Sequence, residues 1–113
     1  MKKYCMVFKV KPEFIDKYVE IHKKAWPEQV KAIKEAGAEE CVMYIYENIS
    51  ILYCDCQDID KWFNNLLNNE TYKKWQEVVG PWMVQEENKD NPLNLLEKIF
   101  DLKQQLNGPI EPY

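Results

Sequence analysis

The sequence contains no arginine, and it has a single histidine, His22, among its 113 residues. All 15 cationic side chains are lysines, and they are scattered along the chain rather than gathered on one segment. Sites for phosphate and nucleic acid depend strongly on the two-pronged hydrogen bonding of arginine. We therefore expect no nucleic-acid partner, and the net charge of −4 at pH 7 agrees with this expectation.

Long apolar runs are also missing. No stretch approaches the roughly 18–20 apolar residues that a membrane span requires. The residues from Met1 to Lys3 lead directly into a short β-rich run rather than into the apolar core of a signal peptide. We therefore expect a cytoplasmic protein without a membrane partner.

The four cysteines, at positions 5, 41, 54 and 56, match no zinc-binding pattern. With one histidine and no ligand spacing of the usual kind, we predict reduced thiols and no metal. We interpret Cys54-Asp55-Cys56 as part of a strand in which the two thiols diverge.

The length suits one compact domain, and 46% hydrophobic with 30% charged residues is an ordinary globular balance. The apolar pattern predicts a strand over residues 4–10, and then a helix that begins at Pro12. That helix breaks at Trp26-Pro27, since proline disfavours helical geometry in the residue before it. A second helix follows and closes at Gly37. Next we predict a hairpin over residues 41–46 and 49–56, and two helical stretches that end before Gly80-Pro81.

The last apolar segment, residues 93–102, is ambiguous. Periodicity slightly favours a helix, but a strand would complete the order β-α-β-β-α-β of an α+β, ferredoxin-like fold. Such a sheet carries helices on one face only, so we expect a second copy of the chain to cover the other face. Residues 107–113 are predicted to be extended or disordered.

Tyr18, His22 and Trp26 follow one another at intervals of four residues, so they share one helix face. A phenol, an imidazole and an indole together could form an acid/base pocket for a neutral polar ligand. The alternative is that Tyr18 and Trp26 belong to the core and His22 is a half-buried structural residue. Trp75, close to Gly80-Pro81, is a further pocket candidate, since flat aromatic faces suit the apolar side of a sugar.

These residues give the chain a family resemblance. The string Tyr18-x3-His22-x3-Trp26-Pro27-Glu28, the segment from Ile33 to Ala38, Tyr44, and Lys73-Lys74-Trp75 with Met83 resemble the L-rhamnose mutarotase family. The likeness extends over residues 3–102. It implies a mutarotase-like domain over residues 1–102, a C-terminal tail over 103–113, and a homodimeric α+β barrel formed through the sheets. It also implies that the last segment is a strand.

Members of this family interconvert the α and β anomers of a monosaccharide, and the resemblance implies the same isomerase activity without a cofactor or metal. It implies His22 as the catalytic proton donor and Tyr18 as a group that binds sugar hydroxyls. Trp26 and Trp75 would complete the substrate-binding surface.

Two positions depart from the rhamnose-type pattern, and both would contact the sugar. Cys41 stands where the rhamnose-type members have a tyrosine. Trp75-Gln76 stands where they have two adjacent tryptophans. We therefore keep L-fucose as an alternative substrate to L-rhamnose. A non-catalytic, dimeric sugar-binding or regulatory module is the alternative to an enzyme.

Overall fold

The protein is described by a computed structural model that covers residues 2–85 and 90–108. Short 3-10 turns precede the first helix and follow the fourth, at Pro12–Phe14 and Gly80–Trp82. The order of the elements confirms the predicted β-α-β-β-α succession. In chain order, the elements are β1 (Lys2–Lys9), α1 (Ile15–Lys23), α2 (Pro27–Glu35), β2 (Glu40–Tyr46), β3 (Ile49–Cys56), α3 (Ile59–Leu67), α4 (Glu70–Val79) and α5 (Leu102–Asn107).

Within the described residues, β3 lies at the centre of an antiparallel sheet, between β1 and β2. On the free edge of β1, Leu95 forms an antiparallel bridge with Met6, and the Leu96 amide donates to the Cys5 carbonyl at 2.8 Å. The spatial order is therefore the last segment, β1, β3 and β2. This arrangement confirms the ferredoxin-like α+β fold.

The helix favoured by periodicity over residues 93–102 is wrong. Residues 93–101 are non-helical. They contact β1 through one isolated bridge and a few hydrogen bonds around it, rather than as the full strand that the resemblance implies. The Asn91 side chain accepts from the Leu95 amide, and Asn94 adopts a positive φ of 52°. Both features set a turn that a helix cannot contain, and the turn brings Leu93 and Leu95 onto the core.

The C-terminal tail also differs from its prediction. Asn107, expected to be extended or disordered, closes α5, which begins at Leu102 because the Asp101 carboxylate accepts from the Gln104 amide and caps the helix. The predicted domain boundary after residue 102 therefore falls inside this helix. Residues 109–113 of the tail lie outside the described part of the chain.

Helices cover one face of the sheet, and two groups of buried side chains fill the space beneath them. We call the first the thiol cluster and the second the aromatic cluster. The thiol cluster includes Tyr4, Met6, Ala32, Ala36, Cys54, Cys56, Trp62, Leu66 and Leu93. The aromatic cluster is formed by Val10, Tyr18, Trp75 and Val79, with Trp26, Trp82 and Met83 packed against it.

The interpretation of Cys54 and Cys56 as diverging thiols is wrong. Side chains two residues apart on a strand share a face, and both thiols are buried in the thiol cluster. Cys41 lies opposite Cys54 in the ladder between β2 and β3, so its thiol belongs to the same end of the sheet. Cys5, Cys41, Cys54 and Cys56 are all free.

Candidate active site

The break between α1 and α2 positions the first aromatic ring of the site. Trp26 has an extended backbone, with φ −57° and ψ 133°, and Pro27 occupies the first helical position of α2. Proline suits this position because its ring already has helical φ and its missing amide hydrogen would have had no partner. The break lets Trp26 contact Trp75 of α4 edge-on, with ring centroids 5.1 Å apart.

The structure brings four of the predicted site residues together. The His22 ring lies 4.2 Å from the Tyr18 ring and 5.2 Å from the Trp75 ring, measured between centroids. Trp75 in turn contacts Trp26. The four side chains therefore form one continuous group, in which the Tyr18 and Trp75 rings contact the imidazole and Trp26 contacts Trp75. They come from α1, α4 and the break before α2.

The Tyr18 phenol is buried and donates a hydrogen bond of 2.7 Å to the Ser50 hydroxyl on β3. Burial raises the pKa of Tyr18, and the smaller effect of the bond to Ser50 opposes this shift. The phenol therefore keeps its proton, which is committed to Ser50. Its oxygen still has a lone pair with which to accept a hydrogen bond from a ligand hydroxyl.

His22 is anchored through one ring nitrogen. Its Nδ1 lies 2.7 Å from the Tyr18 carbonyl oxygen. A carbonyl only accepts, so Nδ1 carries the hydrogen and the lone pair of the neutral ring lies on Nε2. Burial lowers the pKa of His22, and the bond to the Tyr18 carbonyl partly offsets this. The imidazole is therefore neutral at pH 7, with Nε2 able to accept a proton.

Cys41 lies apart from this group. It pairs with Cys54, which is four residues along β3 from Ser50, a separation of about 13 Å at the usual rise per strand residue. Burial raises the pKa of Cys41 to about 11, so the thiol stays protonated at neutral pH. Its predicted contact with a sugar remains a prediction that the chain's own fold does not support.

Gln76 also lies apart from the group. Neighbouring side chains on a helix point about 100° apart, and here Trp75 is the one turned inward. The Gln76 side chain is exposed, and its amide donates to the Tyr72 phenol oxygen at 2.8 Å. Adjacency to Trp75 in the sequence therefore does not place Gln76 beside Tyr18 and His22.

Two buried polar residues near the aromatic cluster were not predicted. Ser50 is 1% exposed and lies on the inward face of β3, where Leu52, Cys54 and Cys56 follow at alternate positions. Gln29 is 3% exposed and lies on the inward face of α2 with Ala32. Each is a polar residue at a position where the periodicity of its strand or helix predicts an apolar one, and this signal could have identified both.

Gln29 differs from Ser50 in its bonding. Within the described residues, the Gln29 side-chain oxygen Oε1 is buried and has no hydrogen-bond partner. A buried polar atom without a partner costs about 1–3 kcal/mol of stability. Such an atom is rare in folded proteins and calls for an explanation.

None of the helices formed by residues 2–85 and 90–108 has the length and apolar character that crossing a bilayer requires. The same residues contain no group of three or more histidine, cysteine or acidic side chains arranged to hold a metal ion. The polar groups at or beside the aromatic cluster are the His22 imidazole, the Tyr18 phenol, the Ser50 hydroxyl and the Gln29 amide.

A family model described as L-rhamnose mutarotase matches residues 3–102 of the chain. Two curated relatives carry the same name. The protein from Oceanobacillus iheyensis is 27% identical over 85 residues, which span 74% of this chain and 81% of the relative. The protein from Bacillus subtilis is 26% identical over 85 residues, which again span 74% of this chain and 81% of the relative.

Two solved structures are similar to this one. The crystal structure of an L-rhamnose mutarotase from Formosa agariphila superposes with a TM-score of 0.70 at 26% identity, covering 89% of this chain and 98% of that one. Tetracenomycin F2 cyclase from Streptomyces glaucescens, a type-II polyketide cyclase, superposes with a TM-score of 0.64 at 15% identity. The superposition covers 89% of this chain and 96% of the cyclase chain. At 15% identity, the likeness concerns the fold alone.

Proposed function

This chain belongs to the L-rhamnose mutarotase family, a family of sugar isomerases, and on that premise we propose that it interconverts the α and β anomers of L-rhamnose. The family match covers the same residues 3–102 over which the sequence resembles the family, so the predicted family membership is confirmed. The observation that carries the proposed mechanism is the anchored His22, whose neutral ring leaves a basic nitrogen among sugar-compatible rings.

The proposed reaction moves one proton between two oxygens bonded to the same carbon. Nε2 of His22 accepts the proton of the anomeric hydroxyl and returns it to the ring oxygen. The bond from the anomeric carbon to the ring oxygen breaks, and a carbonyl forms, giving the open-chain aldehyde. Rotation about the next carbon–carbon bond and reversal of these steps close the ring as the other anomer. One group with a pKa near neutrality can therefore serve both directions.

The other members of the site would hold the sugar. The Tyr18 oxygen, whose own proton goes to Ser50, can accept from a sugar hydroxyl. Trp26 is half-buried, and its edge-on contact with Trp75 forms an apolar corner. Such a corner suits the methyl group and the C–H face of a 6-deoxy sugar.

We also propose that two copies pair through the open faces of their sheets to form an α+β barrel. Val7, Val42 and Ile51 lie on this face and are half-buried. Tyr44 and Tyr46 lie on the same face, and each is 66% exposed. Cytoplasmic location and the lack of nucleic-acid or membrane partners remain predictions from the composition.

The test is anomer exchange measured by saturation-transfer NMR on a panel that includes L-rhamnose and L-fucose. We expect the protein to accelerate the exchange of L-rhamnose, and His22→Gln to lower kcat by about 10²–10⁴-fold, the usual contribution of an acid/base group. Lys23→Gln changes the next, exposed side chain and is the matched control.

Each other outcome has a distinct meaning. Faster exchange of L-fucose than of L-rhamnose would keep the mechanism and change the substrate. Sugar binding without exchange would support the non-catalytic sugar-binding module. Equal rates for the protein and for His22→Gln would contradict the proposed role of His22.

A further inference from the structure

Gln29 lies where the two buried clusters of the molecule meet. One turn before it, Trp26 packs against the aromatic cluster, and one turn after it, Ala32 belongs to the thiol cluster. On α4, which packs against α2, the same division falls between Tyr72 and Trp75. Gln29 thus lies three residues after Trp26, in the first turn of α2, and its side chain is buried.

The packing of α2 does not account for a glutamine at this position. The neighbouring inward positions hold small apolar side chains, Ala32 and Ala36. Among the described residues, nothing bonds to Gln29 Oε1, although the atom is buried. By comparison, the Ser50 hydroxyl, the other buried polar group of this region, accepts the Tyr18 proton. The amide therefore has an unused hydrogen-bonding position that faces into the protein.

A hydroxyl is the partner that best fits this position. A side-chain amide can turn over without changing its shape, so the buried position presents either an acceptor or a donor. A hydroxyl can both donate and accept, and it satisfies the amide in either orientation. It is also small and uncharged, which suits a site bordered by indole rings. Several such groups at fixed angles are what a monosaccharide offers.

We propose that Gln29 is a specificity-determining residue whose amide binds one hydroxyl of the sugar while the aromatic cluster holds its apolar face. This inference rests on the proposed function, since it takes the aromatic cluster as the sugar site. Gln29 takes no part in proton transfer. It acts on which sugar binds, by leaving its own amide unpaired when a sugar lacks the matching hydroxyl.

The test compares the protein with Gln29→Met, a substitution that keeps the length of the side chain and removes its polar end. Sugar affinities and anomer exchange are measured with L-rhamnose and its 2-, 3- and 4-deoxy analogues. We expect Gln29→Met to weaken binding and raise KM about 3- to 10-fold for sugars with the recognised hydroxyl, since one neutral hydrogen bond is lost. For one deoxy analogue, the two proteins should bind equally. kcat should stay nearly unchanged.

A second readout separates this role from a structural one. Without sugar, Gln29→Met should melt at the same temperature as the parent protein or higher, because it removes an unpaired buried atom. Asn65→Leu is the matched control, since the Asn65 amide already donates to the Ala36 carbonyl at 3.0 Å. We expect that control to lower the melting temperature and to leave the sugar affinities unchanged.

The outcomes decide the two proposals separately. If the parent protein exchanges anomers and Gln29→Met binds every sugar equally well, the inference about Gln29 is wrong and the proposed function stands. If the parent protein binds sugars without exchanging anomers, the proposed function fails, and the affinities still decide the role of Gln29. A lower melting temperature for Gln29→Met without sugar, at unchanged affinities, would show a packing role. Binding of no sugar by the parent protein would overturn both.

Discussion

The aromatic cluster and the thiol cluster lie beneath the helical layer at opposite ends of one sheet face, yet their polar groups are used differently. At the thiol end, Cys54 and Cys56 are buried, and burial raises the pKa of each, as it does for Cys41. These groups keep their protons and pack as small apolar side chains. At the aromatic end, burial lowers the pKa of His22 and leaves a neutral, basic nitrogen.

The same physical effect, removal from water, therefore has opposite chemical results at the two ends. Desolvation favours the neutral form of every titratable group. A neutral thiol is unreactive, whereas a neutral imidazole is the form that accepts a proton. The proposed site is therefore at the end of the sheet where the neutral form of the buried group can accept a proton. Three predictions test it, from the largest expected effect to the smallest.

The largest effects should come from truncating one large buried side chain at each end. Trp75→Ala should lower the free energy of unfolding by about 3–5 kcal/mol, and Leu66→Ala by about 2–5 kcal/mol, since both are buried. Only Trp75→Ala should also reduce anomer exchange per folded molecule, because its ring contacts His22 and Trp26. Urea unfolding and NMR exchange measure the two effects.

A result in which both variants lose exchange activity to the same degree would break the comparison. It would mean that the site depends on the whole helical layer rather than on the aromatic end. Activity must be scaled to the folded fraction found in the unfolding curves, because both variants are destabilised.

An intermediate effect should follow from Ser50→Ala, which removes the partner of the Tyr18 phenol. The buried hydroxyl of Tyr18 would then have no acceptor at 2.7 Å, and we expect a loss of about 1–3 kcal/mol of stability. The KM for the sugar should rise, since Ser50 no longer holds the phenol proton and the Tyr18 oxygen is no longer fixed as an acceptor for a sugar hydroxyl. Tyr18→Phe in the same background should add little further loss of stability, whereas additive losses would show that the two groups act independently.

The smallest effects should appear in the pH dependence of stability, with opposite signs at the two ends. Below pH 6.5, the imidazole gains a proton more readily in the unfolded chain than in the folded protein, so stability should fall as the pH falls. Between about pH 9.0 and 11, the Cys41 thiol loses its proton more readily when unfolded, so stability should fall as the pH rises. His22→Gln should flatten the acid limb. Cys41→Ala should make the alkaline limb less steep without removing it, because burial also raises the pKa values of Cys54 and Cys56.

Melting temperatures across both pH ranges provide the measurement, with each variant serving as the control for the other. If Cys41→Ala flattened the acid limb, or His22→Gln the alkaline limb, the assignment of each limb to one end of the sheet would be incorrect.

The sequence predicts those parts of the molecule that depend on local spacing. Tyr18, His22 and Trp26 were placed together because four-residue intervals define a helix face, and Pro27 marks the break that follows. Ser50 was not found, because its bond to Tyr18 joins residues 32 positions apart and depends on sheet register. Gln76 came from the family resemblance, and its contact with a sugar stays a prediction, since its side chain is exposed and bonds to Tyr72 in this structure. Periodicity alone favours a helix for the last segment because its apolar spacing fits one, whereas Asn91 and Asn94 set a turn there.

The hydrogen bond from His22 to the Tyr18 carbonyl spans one turn of α1 and uses no other element. The ring that we propose moves the proton and the carbonyl that orients it thus lie within five consecutive residues. The side chains that would contact the rest of the sugar come from other segments, α2 and α4. Substitutions in those segments could change which sugar is accepted while the orientation of the imidazole stays as it is. Under the proposed mechanism, the acid/base group depends on one helical turn, and the contacts that select the sugar can change separately from it.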